Sequence, residues 1–600
     1  GGRGGNGFSA GGNGGSVIAA VFGGSLTSNQ GSFLSAELIG GDGGLAVSGP
    51  GGAGGNLIGN SVFGGFNFTA GQGGRGSVGG NGGSIIGNGI VGLYETQTLG
   101  QSVTAGDGGD GIKRGGTGGS IRNFHGSFDL GSTQETGFLR YQGGSGGLAV
   151  SGRGGDGGSV INSSPINQDR NQLAGDIFIA GGRGGDGRSG GNGGAVDTFV
   201  NRTDQFQVPA VLSFLGGDGG NSTKGAAGSG GSVKNITTAS TGQPNPFAGS
   251  ISAFTFSRVI AGRGGDSSGN NGGTGGGVAA INVSAQENPL AVVAGSGGDG
   301  LFRGGNGGSV STAILQIGNS SFAKAVVIAG EGGDANAYIA NALDPASLQT
   351  AIKAFGGKVG RGGDGGGITN ILQLGGILTR MDLIAGNGGD TVNYGTVADL
   401  ASFIGRGGSI SKVRVDGSIG NLDPQVPIKS YNDIRTGQTM DDFVRLKLRD
   451  ESAPGSVSDT DGNVGLVAGA AGRVKSVFNG YSVSNQPIFP TSPAVGGVNG
   501  SVFSVTARNI MSAVAGNVER IAAIQSVKDI KLTGGGIVGA DKDRFNDPSN
   551  VRRFLDASLN PSPTPVLDGI LIDGAIVSRS RPTDLIGRPI NLGGDVYVLA

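Results

Sequence analysis

Aspartate follows a Gly-x-Gly-Gly motif at Asp110, Asp186, Asp266, Asp299, Asp334 and Asp390, and asparagine does so at Asn6 and Asn221. A carboxylate at one recurring position is the raw material of a hard-cation site, because Ca2+ gathers about six to eight oxygen ligands. Stacked at the corners of successive coils, these residues would form a ladder of calcium candidates. The same residue types suit another role, since Asp and Asn accept backbone amide hydrogens in Asx turns. Like charges about 5 Å apart repel by about 1 kcal/mol in water, which neighbouring arginines can offset. "DTDGN" at 459–463 adds Asp459 and Asp461 as calcium candidates. It lacks the later bidentate glutamate of an acidic calcium loop, so a surface turn is the competing reading.

Other chemistry is sparsely equipped. The single histidine, His125 in "NFHGS", has no Ser-His-Asp order or zinc-ligand spacing around it, and the chain has no cysteine. Carboxylates in an aromatic groove could process polysaccharides, but tryptophan is absent and tyrosine occurs only 7 times. The expectation is therefore a protein that is not an enzyme and needs no cofactor, calcium aside. The "RGGD" segments at Arg183, Arg263 and Arg361 carry one glycine too many for an integrin-type tripeptide and read as surface charge. Formal net charge is −1, from 42 basic and 43 acidic residues, which gives no overall electrostatic case for nucleic acid or an anionic membrane. No run of about 18 apolar residues exists to span a bilayer.

These residues must be positioned by a repeat. Glycine fills 136 positions, a proportion that without periodicity would indicate disorder. Its motif recurs, however, with the first glycine at Gly2, Gly41, Gly71, Gly106, Gly144, Gly182, Gly217, Gly262, Gly295, Gly330 and Gly386. Each copy holds a second Gly-x-Gly-Gly, from Gly12 and Gly52 to Gly363 and Gly405, and an aliphatic residue follows it two places on in all eleven. That series is Val17, Leu57, Ile85, Ile121, Val160, Val196, Val233, Val278, Val310, Ile368 and Ile410. A disordered tract would not hold one aliphatic position so strictly.

Short β-branched runs punctuated by glycine predict strands, because a helix would lose about 1 kcal/mol per glycine. Strands recurring every 35 or so residues predict an all-β parallel solenoid with a few short helical inserts. Glycine in register needs a steric cause, either a positive-φ corner or backbones too close for a Cβ. The short spacing between motifs favours two facing glycine-lined strands; three-residue extended helices are the alternative. Residues 1–411 form eleven such coils, and 412–600 continue as a less regular solenoid. Helices are predicted at "DPASLQTAIKAF" from Asp344, at "VADLASF" from Val397 and at "DPSNVRRFLDASL" from Asp547.

The paired motifs and aliphatic strands resemble the glycine-rich β-solenoid regions of bacterial surface and secreted proteins, such as adhesin and autotransporter passengers. They are more loosely similar to GGxGG-rich mycobacterial surface proteins. The aspartates resemble the calcium-binding nonapeptide repeats of secreted toxins, but here Asp directly follows the glycine pair and the period is near 35. The resemblance implies an extracellular or cell-surface location and a structural stalk or filament, with a loop-presenting adhesin or a polysaccharide-processing β-helix as alternatives. The closing "DVYVLA" set before the opening "GGRGGNG" imitates the interior "DIFIAGGRGGDG" of Asp176–Gly187. That match predicts either a window of a longer solenoid or head-to-tail self-association, with a surface or carbohydrate ligand as a further partner and no nucleic acid.

Overall fold

A Gly-Gly-x repeat suits a helix of three residues per turn, which makes no internal hydrogen bonds. Every amide of such a segment must therefore find a partner elsewhere. In the computed structural model this requirement organises the fold. The structure describes residues 1–22, 36–62, 66–90, 101–126, 137–165, 175–200, 211–237, 256–285, 290–317, 324–335, 360–374, 380–393, 401–419, 465–472, 474–477, 498–510, 513–515, 517–527 and 530–532. They fall into two compact units, Gly1–Leu301 with Ala313–Gln316, and Phe302–Thr312 with Ile317–Ala600.

In the first unit the paired glycine segments are not strands but a hydrogen-bonded lattice. Gly4 N donates to Asp42 O, Gly43 N to Gln72 O and Gly73 N to Asp107 O, each at 2.8 Å, linking equivalent segments of successive coils. Within a coil, Gly12 N donates to Gly5 O (2.8 Å) and Gly15 N to Gly2 O (2.7 Å). Between coils, Gly41 N donates to Gly15 O (2.9 Å) and Gly44 N to Gly12 O (2.7 Å). The three-residue alternative thus replaces the two facing strands. The steric argument for glycine holds: a Cβ at Gly106 would lie 1.8 Å from Gly71 O, and one at Gly158 would lie 1.7 Å from Gly119 O. Both obstacles are backbone and cannot swing aside.

The third side of each coil is apolar. Strands after the second glycine segment stack in parallel, with Val17 opposite Leu57, Leu57 opposite Ile85, Ile85 opposite Ile121, and so on through Val160, Val196 and Val233 to Val278. Leu57 to Val278 of this series are all buried. The facing ladder carries Leu38, Phe68, Val103, Tyr141, Ile179, Phe214 and Val259 in register, all buried. Phe124 meets Phe68 and Tyr141 edge-on at 5.4 and 5.2 Å, and Phe199 meets Phe214 at 4.9 Å.

Two residues past the aliphatic position, each coil turns through the left-handed region. Ala19, Gly59, Gly87, Asn123, Asn162, Thr198, Asn235 and Ala280 have φ between 47° and 61°. Asparagine and glycine suit that conformation, whereas β-branched Thr198 is strained in it. The next residue points inward: Asn60 and Asn88 there are fully buried. Asn60 donates from N and Nδ2 to Asn88 Oδ1 (2.7 and 2.8 Å), and Asn88 Nδ2 donates to Leu57 O (2.7 Å).

The second unit repeats the scheme. Ile368, Ile410, Val502 and Val518 stack in one parallel ladder, and Val327, Leu383 and Leu466 in the other. Thr312, Asn370, Lys412 and Ser504 form its left-handed corners. Among the described residues the glycine lattice continues after residue 411 at 498–500, where Gly500 N donates to Gly469 O (2.8 Å), and at "GAAG", where Gly388 N donates to Ala470 O (2.8 Å) and Gly472 N to Gly405 O (3.0 Å). The glycines of "GAAG" are not paired, so the motif search passes over it. Of the predicted "VADLASF" helix, the described part Ala401–Phe403 is a 3-10 turn. The helices from Asp344 and Asp547, and the closing "DVYVLA", lie outside the described residues.

Three stability changes follow. Gly106→Ala is expected to destabilise by more than about 3 kcal/mol in urea unfolding, while Thr117→Ala on the exposed side of the lattice changes stability by less than about 0.5 kcal/mol. Ala280→Gly, at a corner with φ 50° and no side-chain hydrogen bond to lose, should raise the melting temperature by relieving about 1 kcal/mol of left-handed strain. Among the described residues the buried Tyr141 hydroxyl has no hydrogen-bond partner, so Tyr141→Phe should stabilise by about 1 kcal/mol; a loss would reveal a bridging water.

Candidate functional site

The x residues are the natural place to look for chemistry, because the three-residue period brings them to the outside once per turn. The lattice leaves one backbone group unanswered in each turn: the amide of x itself. Where the preceding coil carries Asn or Asp at the equivalent place, its side-chain oxygen answers it. Asn6 Oδ1 accepts from Leu45 N, Asn13 Oδ1 from Ala53 N, Asp42 Oδ1 from Gln72 N and Asp107 Oδ1 from Ser145 N, at 2.6–2.9 Å. Serine does the same after the second segment, where Ser84 Oγ accepts from Ser120 N (3.1 Å) and Ser120 Oγ from Ser159 N (3.2 Å).

The calcium candidates belong to this scheme. Asp110 Oδ1 accepts from Leu148 N (3.0 Å), Asp186 Oδ1 from Asn221 N (2.7 Å), Asp266 Oδ1 from Asp299 N (2.9 Å) and Asp334 Oδ1 from Asp390 N (2.8 Å). They accept amide hydrogens, as an Asx role requires, but across coils rather than within a turn. Through these bonds Asp266 stands beside Asp299 and Asp334 beside Asp390. Leu148 separates Asp110 from Asp186, and Asn221 separates Asp186 from Asp266. Among the described residues no group of three or more His, Cys, Asp or Glu side chains is arranged to hold a metal. Asp459 and Asp461 lie outside the described residues.

The spacing of "RGGD" now has a structural meaning. Positions i and i+3 share one side of a three-residue helix, so Arg183 meets Asp186 at 2.9 Å, Arg263 meets Asp266 at 3.1 Å and Arg361 meets Asp364 at 3.2 Å. Arg75 reaches across coils to Asp110 at 3.2 Å. These exposed pairs contribute little stability, at most about 1 kcal/mol each. His125 is exposed on a short strand, His125–Gly126, that is paired on both sides, with His125 opposite Ser164 and Gly89.

One carboxylate is electrostatically distinct. Burial of Asp197 opposes its ionisation, yet hydrogen bonds from Asn235 Nδ2 (2.8 Å) and Thr198 Oγ1 (3.0 Å), with the Lys234 ammonium at 3.1 Å, outweigh that cost. Its pKa therefore lies below the ordinary carboxylate value. Sequence reasoning missed this cluster, because Asp197 and Asn235 are 38 positions apart and meet only through coil stacking.

With this geometry in hand, comparison with known proteins adds no relative: no protein-family model, curated protein or solved structure matches the chain.

Two tests address the carboxylates. Asp186→Asn keeps an oxygen for the Asn221 amide and should leave stability unchanged, whereas Asp186→Ala should cost about 1 kcal/mol. Calcium and a chelator should leave the melting temperature of the whole chain equal, as expected of isolated carboxylates already engaged with amides. For Asp197, a lowered folded-state pKa means that the unfolded chain binds the proton more tightly. Its stabilisation is complete above the ordinary carboxylate pKa and is lost as pH falls through the lower folded value. Comparing wild type with Asp197→Asn from neutral to acid pH should show their stability difference shrinking over that window.

Proposed function

We propose that this chain is a structural protein of the cell surface, a stalk or filament segment in which stacked coils supply stiffness and variable loops supply a decorated side. One observation carries the reading: within each unit the aliphatic positions of successive coils stand opposite one another, Leu57 to Val278 in the first and Ile368 to Val518 in the second, with the glycine segments bonded from coil to coil between them. A binding pocket interrupts a repeat to gather unlike groups. Here the exposed acidic residues instead serve the lattice itself. The extracellular setting rests on the resemblance to glycine-rich solenoid regions of surface and secreted proteins. It also fits a fold held without disulfides by continuous hydrogen bonding.

Self-association along the stack belongs to the same proposal.

Electron microscopy of the purified chain across a concentration series tests this. Fibres of uniform width that lengthen with concentration, repeating once per subunit, are the expected outcome. Compact particles that do not grow would count against a filament role and direct attention to the loops as an adhesin surface.

A further inference from the structure

The turn joining the two glycine segments of a coil is a second recurring surface, and its composition changes along the first unit. In the fourth coil, which holds Gly106 and Gly116, it presents Ile112, Lys113 and Arg114. In the fifth it presents Val150 and Arg153, in the sixth Arg188, and in the seventh Lys224. Hydrogen bonds stack these turns: Val150 N donates to Gly111 O, Ser151 N to Ile112 O, Arg188 N to Gly152 O and Lys224 N to Arg188 O. Arg114 is bridged in register to Arg153, and Arg153 to Ser189. Residues up to 111 positions apart in sequence thus share one edge over about 15 Å of stacking.

The cations on this edge are not equivalent. Arg153 is tied to Asp156 at 2.7 Å, and the nearby acids Asp110 and Asp186 are taken by Arg75 and Arg183. Lys113, Arg114, Arg188 and Lys224 are exposed and form no ion pair among the described residues. A net charge of −1 conceals this local excess of positive charge. Between the cations stand aliphatic side chains with no partner: Ile112 is 54% exposed and Val150 80%. They sit on turns bonded to one another in adjacent coils, so they are neighbours on one edge rather than scattered apolar residues.

We propose that this turn edge docks onto an anionic lipid bilayer. Lys113, Arg114, Arg188 and Lys224 face the headgroup phosphates and carboxylates, and Ile112 and Val150 enter the interfacial layer beneath them. The pairing of unneutralised cations with protruding aliphatics selects this partner, since each supplies one of the two attractions that peripheral membrane binding combines. A soluble polyanion would use the charges and leave the aliphatics without a role. A single-stranded nucleic acid would call for aromatic platforms, and the turns of these four coils carry none. This inference stands apart from the structural proposal, because docking requires only the folded first unit and not filament growth.

Co-sedimentation of the whole chain with phosphatidylcholine vesicles, with and without phosphatidylserine, tests it. Binding to the anionic vesicles only is expected, weakening as salt rises from about 0.1 M to about 1 M. The K113E/R114E/R188E/K224E variant should lose at least about a hundredfold in apparent partitioning. I112S/V150S, which keeps every charge, should bind several-fold more weakly than wild type, and it carries the test should the charge variant fail to fold. Absence of binding to anionic vesicles, equal binding to both vesicle types, or wild-type binding by both variants would overturn the proposal. So would retention on immobilised heparin or DNA without vesicle binding.

Discussion

Backbone-to-backbone approach is the constraint on which the remainder of this protein depends. Two glycine segments per coil come so near to their neighbours that a single methyl group would overlap a carbonyl oxygen by well over an ångström. Ordering so many glycines costs more conformational entropy than ordering other residues, and hydrogen bonds in three directions offset it. Among the described residues, glycine amides of the pairs donate to carbonyls of the same coil or of an adjacent one, so the backbone is satisfied there without side chains.

The lattice dictates the rest by register. Because glycine segments can stack only with their equivalents, the strands they lead into are also placed opposite their equivalents. Val160 then lies between Ile121 and Val196 rather than between unlike residues. A narrow apolar core follows, with one aliphatic column facing another and aromatic residues filling the wider levels. The same registration forces the left-handed corner on whatever residue occupies it. Asn123 and Asn162 accept that conformation readily, and Asn162 Nδ2 donates to Asn123 Oδ1 at 2.7 Å. Thr198 and Thr312 adopt it against their preference, which shows that stacking outweighs local propensity at these positions.

Side chains outside the lattice inherit its spacing. Aspartate at the x position resembles a ligand when read as isolated chemistry, and it becomes an amide acceptor once the next coil is set above it. Arginine three places earlier becomes its ion-pair partner because a three-residue helix returns to the same side after one turn. Electrostatics is thus redistributed: acids and arginines pair along the glycine segments, while the connecting turns of the fourth to seventh coils keep cations unopposed.

The sequence by itself determined the repeat, the strands and the need for glycine, because period, aliphatic position and glycine pairing are local patterns that survive without coordinates. It also named the columns correctly, since Leu57, Ile85, Ile121 and their equivalents are buried where an aliphatic residue recurs. It favoured facing strands over three-residue helices for the glycine segments, and the structure reverses that preference, because both conformations bring backbones close and only the direction of the hydrogen bonds separates them. Tertiary structure alone decided the partners of Asp186, the meeting of Asp197 with Asn235 and the gathering of Lys113 with Lys224. Those relations join residues one or more coils apart, and stacking sets them against one another or along one edge although no local pattern links them.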